Sequence, residues 1–581
     1  MDNECLAYRL VKTETLSGTG YFDVVPDKKL NFKEAVSLLY HRPMDDFLHK
    51  YALTFLSGVS REELSSLIKR GEKKGDFILL ALACEQILLS WDSLSRAKAF
   101  FSEDIIEKLV HYSPLIHIRS ARQANQRLHL KWIKMFKKNI FNHEPLPSLD
   151  HTGFPPVCSG ECPVREKKTM TIAELFPSFS GSPSEALVVS PEKTAENALT
   201  ALKTAKVSLE KEMRHEASLT PFGLLRKWRF KRQVKNKRHV FSLSGEQISY
   251  GRGLTLETAR ASLLMEIVER YSSFASVDNH CVSGHRDEQP LIFDRYSELA
   301  LEGINAINPN DLALEVRYQD DPLYWIQGTA PPGSRKRKGS PDSPGREDLE
   351  ILIPLQAVFL FSNLDEISLF SGPGSTGLAS GNTLAQAKLS ALMEVIERHQ
   401  ACTTLFDPSQ CFSLVTGEEN PGWFLNACRS MGIEVQFQDI TPEWGLPCCS
   451  CFVRAQDGRV CRGTASGLDA RQTIVSAMTE TNYPFPGGPP SSPEVVNPMV
   501  VEYENLPDFS TGSFASDLDL VEQLLLENGF CPCYVDLTRG DLDIPVVRAL
   551  IPGMEMLGDF DEFSRVHPDL FNHYLRLVRK H

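Results

Sequence analysis

Residues 253–270, GLTLETARASLLMEIVER, and residues 381–398, GNTLAQAKLSALMEVIER, align without a gap. Glycine, threonine, leucine, alanine, serine, methionine, both glutamates and the closing arginine coincide. Thirteen residues lead from each glycine to its first glutamate. A weaker third copy, GLDARQTIVSAMTETNY at 467–483, keeps that spacing from Gly467 to Glu480 and the serine at Ser476. Tyr483 stands where its second glutamate would fall. Each copy reads as a loop feeding a helix, so the chain is expected to fold around a recurring unit rather than one continuous pattern.

Glu266 and Glu269 are spaced i, i+3, as are Glu394 and Glu397, so each pair shares one helix face. Leu263, Leu264, Met265, Ile267 and Val268 surround the first pair, and Leu392, Met393, Val395 and Ile396 the second. A helix this apolar around its circumference is expected to be largely buried. The ordinary reading of E-x-x-E-R is a surface ion pair, Glu266 with Arg270 and Glu394 with Arg398, worth ~0.2–0.5 kcal/mol. Duplication in register and the apolar setting weigh against it. A buried carboxylate must be paired or coordinated, and four carboxylates exceed what two arginines neutralise. Hard divalent cations suit such a cluster, and Mg²⁺ commonly shares its coordination between carboxylates and substrate phosphates. The loops agree: SYGRGLTLE at 249–257 and SGPGSTGLASGN at 371–382 are glycine-rich and precede helices, where backbone N–H groups bind phosphate. Neither is a Walker A sequence.

The rest of the chain reads as three parts. Residues 1–145 form a helical module, with i, i+3, i+4 apolar spacing in NFKEAVSLLYHR, MDDFLHKYALTFLSG, SREELSSLIKRGEK and FILLALACEQILLSW. Glycines 58, 71 and 75 are taken as helix ends. Its expected role is to bind a partner or substrate, or to brace the remainder. Residues 146–190 are Pro/Gly/Ser-rich and read as linker. Residues 191–581 alternate strand candidates (HVFSLSG, ILIPLQAVFLF, EVQFQDI, SCFVRA, IPVVRALIPG) with long helices. They are expected to form an α/β or α+β domain.

A net charge of −13 argues against a general nucleic-acid binder. The run LLRKWRFKRQVKNKRH at 224–239 carries eight Lys or Arg with Trp228 and Phe230 between them. It reads first as a solvated entry segment, second as a nucleic-acid or acidic-peptide contact. PPGSRKRKGSPDSPGRED at 331–348 has the composition of a disordered loop. The start of the chain has no signal-peptide pattern, and no apolar run reaches the ~20 residues of a membrane span. A cytoplasmic location is therefore expected, with no membrane contact. Fourteen cysteines do not make a disulfide scaffold at this length. Cys158/Cys162, Cys448/Cys449/Cys451 and Cys531/Cys533 lack a second pair at zinc-site spacing and read as free thiols, mostly buried.

These motifs resemble the YcaO family from about residue 221 to the C-terminal region. Gly251-Arg252-Gly253 with Ser262, Glu266, Glu269 and Arg270 is similar to its first signature. Ser380-Gly381-Asn382 with Glu394, Glu397 and Arg398 is similar to its second, and VVRALIPGMEM at 546–556 to its closing strand and turn. The resemblance implies an ATP-binding fold in which Glu266, Glu269, Glu394 and Glu397 hold Mg²⁺. Asn382 and Gln386 would contact the nucleotide, Arg252, Arg270 and Arg398 its phosphates, and Ser262 and Glu480 complete the cofactor set. It implies an enzyme that phosphorylates a backbone amide oxygen of a protein or ribosomal peptide, so that a nucleophile gives a thioamide, azoline or amidine. The alternative is a non-catalytic nucleotide-binding accessory factor, as for methylthiolation of ribosomal protein S12. A sulfur donor or leader-peptide-binding protein is an expected partner, and a homodimer an expected assembly. Three departures stand out. Arg252 replaces a lysine. Tyr483 and Phe485 occupy the places of Gln and Arg in the family's T-E-x-x-Q-x-R motif. The ending LRLVRKH lacks the P-x-P-x-P tail of azoline-forming members, which ranks thioamidation or an accessory role first.

Overall fold

A computed structural model describes residues 5–13, 21–91, 97–157, 169–179, 189–333, 348–372, 374–558 and 560–580. Helices and strands are mixed throughout, and among the described residues the strands form three sheets of nine, six and six strands. The first sheet is built on a hairpin of two long strands, Phe222–Asn236 and His239–Gly253, paired over their whole length. The second runs Ile292–Asp294, Leu323–Ala330, Cys533–Asp536, Val546–Leu550, Leu378–Ser380, with Leu349–Pro354 also on Leu323–Ala330. The third runs Val460–Ser466, Cys448–Ala455, Gln436–Asp439, Cys411–Val415, Met499–Glu502, with Ser491–Ser492 beside Cys448–Ala455.

The repeated sequence unit is a strand, a tight loop and a helix, and it occurs once against each sheet. Strand His239–Gly253 leads to helix Leu256–Ser272, strand Leu378–Ser380 to helix Leu384–Thr403, and strand Val460–Ser466 to helix Ala470–Glu480. Thr255, Thr383 and Asp469 cap these helices, each side chain accepting a backbone N–H of the first turn. A glycine lets each strand lie directly on its helix. A Cβ at Gly251, Gly381 or Gly463 would fall within 2.6 Å of the backbone of Ala259, Ala387 or Ala477 respectively.

The four N-terminal helices lie where the apolar spacing places them, at Phe32–Leu39, Asp46–Thr54, Arg61–Lys74 and Phe77–Trp91. Gly75 ends the third in the left-handed conformation. Gly71 does not end a helix. It sits inside one, where an added Cβ would meet Leu80 of the next helix at 2.8 Å. The region is not helical throughout either. Strands Leu6–Thr13 and Tyr21–Pro26 precede the helices, and the first pairs in parallel with His239–Gly253, Leu6 opposite Phe241. Both strands are short, they pair with each other, and the first finds its other partner far along the chain, so helical periodicity gave no sign of them.

The stretch between the two parts is anchored where it is described. Helix Ile172–Leu175 carries a capping box of Thr171 and Glu174 and buries Ile172 beside Trp444 and Leu446. Cys158, Cys162 and most of 331–348 lie outside the described residues. The helix starting at Pro191 ends at Thr204, and short strands follow. Of ILIPLQAVFLF, only the first part is strand, because a 3₁₀ turn at Leu355–Ala357 interrupts it.

Most of the basic run 224–239 is not a solvated segment. It belongs to the strand Phe222–Asn236, whose burial alternates with period two. Trp228, Phe230, Arg232 and Val234 face the core, while Arg229, Lys231 and Lys235 face out. Cys448, Cys449 and Cys451 are buried on one strand, Cys448 in a different core cluster from the other two. Burial pushes the Cys451 thiol up to about 12. No helix among the described residues is long and apolar enough to cross a membrane.

Candidate functional site

The three repeated helices bring their acids to one recess. Glu266 and Glu269 come from Leu256–Ser272, Glu394 and Glu397 from Leu384–Thr403, and Glu480 from the end of Ala470–Glu480. Their apolar neighbours enter the cores on either side: Leu263, Leu264, Ile267 and Val268 in one, Leu392, Val395 and Ile396 in the other. The carboxylates are thereby turned toward each other. Glu266, Glu269, Glu394 and Glu397 keep 28, 14, 22 and 12 % of their side-chain surface open, enough for one wet side and no more.

Hydrogen bonds hold this geometry. The Tyr250 N–H donates to Glu266 Oε2 at 2.9 Å, and the Thr464 hydroxyl donates to Glu397 Oε1 at 3.2 Å. Arg270 Nη1 lies 3.6 Å from Glu269 Oε1, and Arg398 Nε lies 3.6 Å from Glu397 Oε1. Arg252 Nη2 reaches Glu480 Oε1 at 3.8 Å, joining the first and third units.

The three arginines in ion pairs do not neutralise five acids. Burial pushes Glu269 up to about 8, and Glu394 and Glu266 add repulsion that Arg270 only partly offsets. Burial and then Glu480 push Glu397 up to about 8. Glu266 and Glu394 are raised as well, again by burial first. Repulsion between Glu269 and Glu394, and between Glu480 and Glu397, crosses from one helix to another. The acids of the three helices therefore lie close enough to act on one another.

The other expected residues are placed as follows. Ser262 is exposed, one turn before Glu266. The Asn382 N–H donates to Gln386 Oε1 at 2.8 Å, and Asn382 Nδ2 donates to Thr194 Oγ1 at 3.1 Å. Both amides thus make contacts within the loop and to the helix Pro191–Thr204. Tyr483 and Phe485 point into the third sheet's core, Tyr483 donating to the Pro489 carbonyl at 2.8 Å.

Sequence reasoning missed two features. One is Arg548, 3 % exposed on the strand Val546–Leu550, whose charge acts on Glu269 and Glu394. The other is the group His399, His567 and Asp569, whose ligand-type atoms lie within 4.8 Å of one another. That group does not suit a metal. The Glu555 N–H donates to His399 Nδ1 at 3.1 Å, and the Asp569 N–H donates to His567 Nδ1 at 3.2 Å. Each ring therefore carries its proton on Nε2 and has no lone pair left to offer. His399 Nε2 faces Asp569 Oδ2 at 3.5 Å, and His567 Nε2 donates to the Gly553 carbonyl at 3.2 Å. The group latches the second glutamate helix to the C-terminal helix Pro568–Lys580.

Glycine-threaded strand–helix units facing a shared cluster of carboxylates mark a class of protein built to hold hard cations. The YcaO family model, described as an ATP- and Mg²⁺-binding cyclodehydratase, matches residues 250–487 and 483–555, more than half of the chain. This chain belongs to the YcaO family, and ATP and Mg²⁺ are the cofactors that this membership gives it. An uncharacterized protein of Methanothermobacter thermautotrophicus is 27% identical over 346 residues, which cover 53% of this chain and 81% of that one.

Similar solved structures include a heterocyclase in complex with substrate and cofactor. It has 18% identity and a TM-score of 0.48, covering 63% of this chain and 52% of that one. The heterocyclase TruD has 19% identity and a TM-score of 0.41, covering 54% and 47%. YcaO from Methanopyrus kandleri bound with AMPPCP and Mg²⁺ has 20% identity and a TM-score of 0.42, covering 63% and 91%. The chain spans about half the length of the two heterocyclases.

The donor set fits the family's cofactors. Crowded oxygen donors, with Glu269 and Glu397 pushed up to about 8 by burial and then by neighbouring acids, suit a hard divalent ion.

Proposed function

We propose that this chain activates a backbone amide of a protein or ribosomal peptide by ATP- and Mg²⁺-dependent phosphorylation, leading to a thioamide or azoline-type product. The observation that carries this reading is the convergence of Glu266, Glu269, Glu394, Glu397 and Glu480 from three helices on one recess, with Glu269 and Glu397 held at about 8. The four paired glutamates would hold the ions, and Arg252, Arg270 and Arg398 would orient phosphates beside them. Bound Mg²⁺ supplies charge neutralisation at a transferring phosphoryl group, the main need of such chemistry. The chain's own part is positioning. Tyr250 and Thr464 fix two of the acids, and the apolar helix faces keep bulk water to one side. An amide oxygen that accepts the phosphoryl group becomes a phosphate leaving group. A nucleophile adding at the amide carbon then displaces it. A sulfur donor or leader-peptide-binding protein is the expected partner.

The test is release of ADP or AMP with Mg²⁺ and candidate peptides, lost in Glu397→Ala. A folded Glu397→Ala variant with full turnover removes the proposed metal site. A second reading, a nucleotide-binding accessory factor without turnover, is favoured by one observation. Tyr483 and Phe485 are core residues where the family resemblance calls for Gln and Arg. It requires ATP binding by calorimetry with no nucleotide released.

A further inference from the structure

The glycine-rich loop that feeds the second glutamate helix begins at Ser371, and Ser371 gives both its donors to one carboxylate. Its N–H donates to Glu315 Oε2 at 2.6 Å and its hydroxyl to Glu315 Oε1 at 2.7 Å. The hydroxyl also reaches Asp561 Oδ2 at 3.4 Å. Lys50 Nζ donates to the Ser371 carbonyl at 3.4 Å. Three residues earlier, the Ser368 N–H donates to the Pro114 carbonyl at 2.8 Å, and Arg119 Nη2 donates to the Ser368 carbonyl at 2.6 Å. Gln123 Nε2 donates to the Glu315 carbonyl at 2.6 Å, and Gln123 Oε1 accepts the Arg317 N–H at 3.1 Å. Lys50, Pro114, Arg119 and Gln123 precede residue 250 and Asp561 follows residue 555, the limits of the family match. The loop is thus gripped at its start by flanking parts of the chain that lie outside that match.

The far end of the loop is pinned too, since the Ser380 hydroxyl donates to the Met265 carbonyl at 3.0 Å. Between the two ends, the Gly374 carbonyl accepts from Arg548 Nη2 at 3.0 Å, which brings the loop to the glutamate recess. Glycines leave such a loop many conformations. A loop already held in its bound conformation costs less to order when a ligand arrives. Glu315 is 4 % exposed, and burial and then Asp561 push it up to about 8. The Asp561 side chain is set in place from its other oxygen, Oδ1, which accepts the N–H groups of Phe563 and Ser564 at 2.9 Å. Asp561 and, across Ser371, Lys50 are the charged side chains that meet Glu315. A protonated Glu315 accepts from Ser371 and donates to Asp561, whereas an ionised one meets Asp561 as a like charge.

We propose that Glu315 is a positioning residue for the nucleotide site: with Asp561 it holds Ser371, and through Ser371 it sets the glycine-rich loop for ATP. The flanking parts of the chain thereby tune how tightly the recess holds its nucleotide. This assignment rests on the reading of the recess as an ATP site.

Calorimetric titration of the full chain with ATP and excess Mg²⁺ at pH 7 and pH 9 tests it, together with thermal unfolding of the unliganded variants. Glu315→Ala releases both donors of Ser371 and is expected to bind ATP at least about fivefold more weakly than wild type at pH 7. Glu315→Gln keeps an acceptor for Ser371 and turns a permanent N–H donor toward Asp561. It is expected to stay within about twofold of wild type at pH 7. At pH 9 the wild-type chain has lost the Glu315 proton and is expected to bind at least about threefold more weakly than Glu315→Gln. Both chains carry the same recess glutamates, so the ratio of their affinities isolates Glu315. A folded Glu315→Ala variant within twofold of wild type, or a ratio that stays constant from pH 7 to pH 9, overturns the assignment and leaves the ATP site standing. The ratio alone decides should the Ala variant fail to fold. A wild-type chain that binds no ATP instead overturns the reading beneath it.

Discussion

The Ser466 hydroxyl donates to the Met393 carbonyl at 2.7 Å, and Ser380 makes the same bond to the Met265 carbonyl at 3.0 Å. Each methionine immediately precedes the first glutamate of its helix. The strand of one unit is thus pinned to the helix of the unit before, one residue from the acid it must aim.

Removing either pin should loosen the recess without unfolding it. A hydrogen bond of this kind is worth about 1 kcal/mol, or about fivefold in an equilibrium constant. Ser380→Ala and Ser466→Ala are each expected to raise the Mg²⁺ concentration for half-maximal nucleotide turnover by about that factor. The check is a Mg²⁺ titration at saturating ATP, with circular dichroism to confirm the fold.

The basic run should matter through its aromatic residue and not its charge. Trp228 is fully buried, donates to the Ser249 hydroxyl at 3.1 Å and packs 6.0 Å from Tyr271, the residue after Arg270. Trp228→Ala is expected to cost about 3–5 kcal/mol. Lys231→Glu and Lys235→Glu, on the outer face, are expected to stay within about 0.5 kcal/mol. Urea denaturation of the three variants separates the two classes.

Glu366 makes stability depend on pH away from the recess. The Tyr324 N–H donates to its Oε2 at 2.6 Å, and its Oε1 has no partner. Burial lifts it from 4.5 to about 8, more than the Tyr324 amide offsets. Between those values the folded chain holds a proton that the unfolded chain releases. This contribution is therefore full below about 4.5 and declines as pH rises to about 8, by at most ~1.4 kcal/mol per pH unit. Glu366→Gln is expected to flatten the fall of the unfolding midpoint between those limits, measured by calorimetry across the range.

The recurring unit and its paired glutamates were legible because helical spacing alone puts both acids of a pair on one face. Their convergence was less so, since it depends on strands that pair across long stretches of chain. The strand of Arg548 was visible in VVRALIPGMEM, but the arginine itself reads there as an ordinary strand residue, and only its unpartnered nitrogens single it out. In the run 224–239 the number of lysines and arginines hid a period of two that places Trp228 inside. Leu6–Thr13 escaped notice because its pairing partner, His239–Gly253, lies far along the chain. Tyr483 and Phe485 were visible as departures from a motif, but their place in a core was not.

Trp132 of the helix Gln126–Asn142 packs edge-on against Phe571 and Tyr574 of Pro568–Lys580, in a cluster that also takes in Leu405, just past the second glutamate helix. These two helices therefore pack on each other and on the end of the second glutamate helix. Removing either helix would strip an oily flank from the helix that carries Glu394 and Glu397, so the domain that holds the paired glutamates is not a portable cassette.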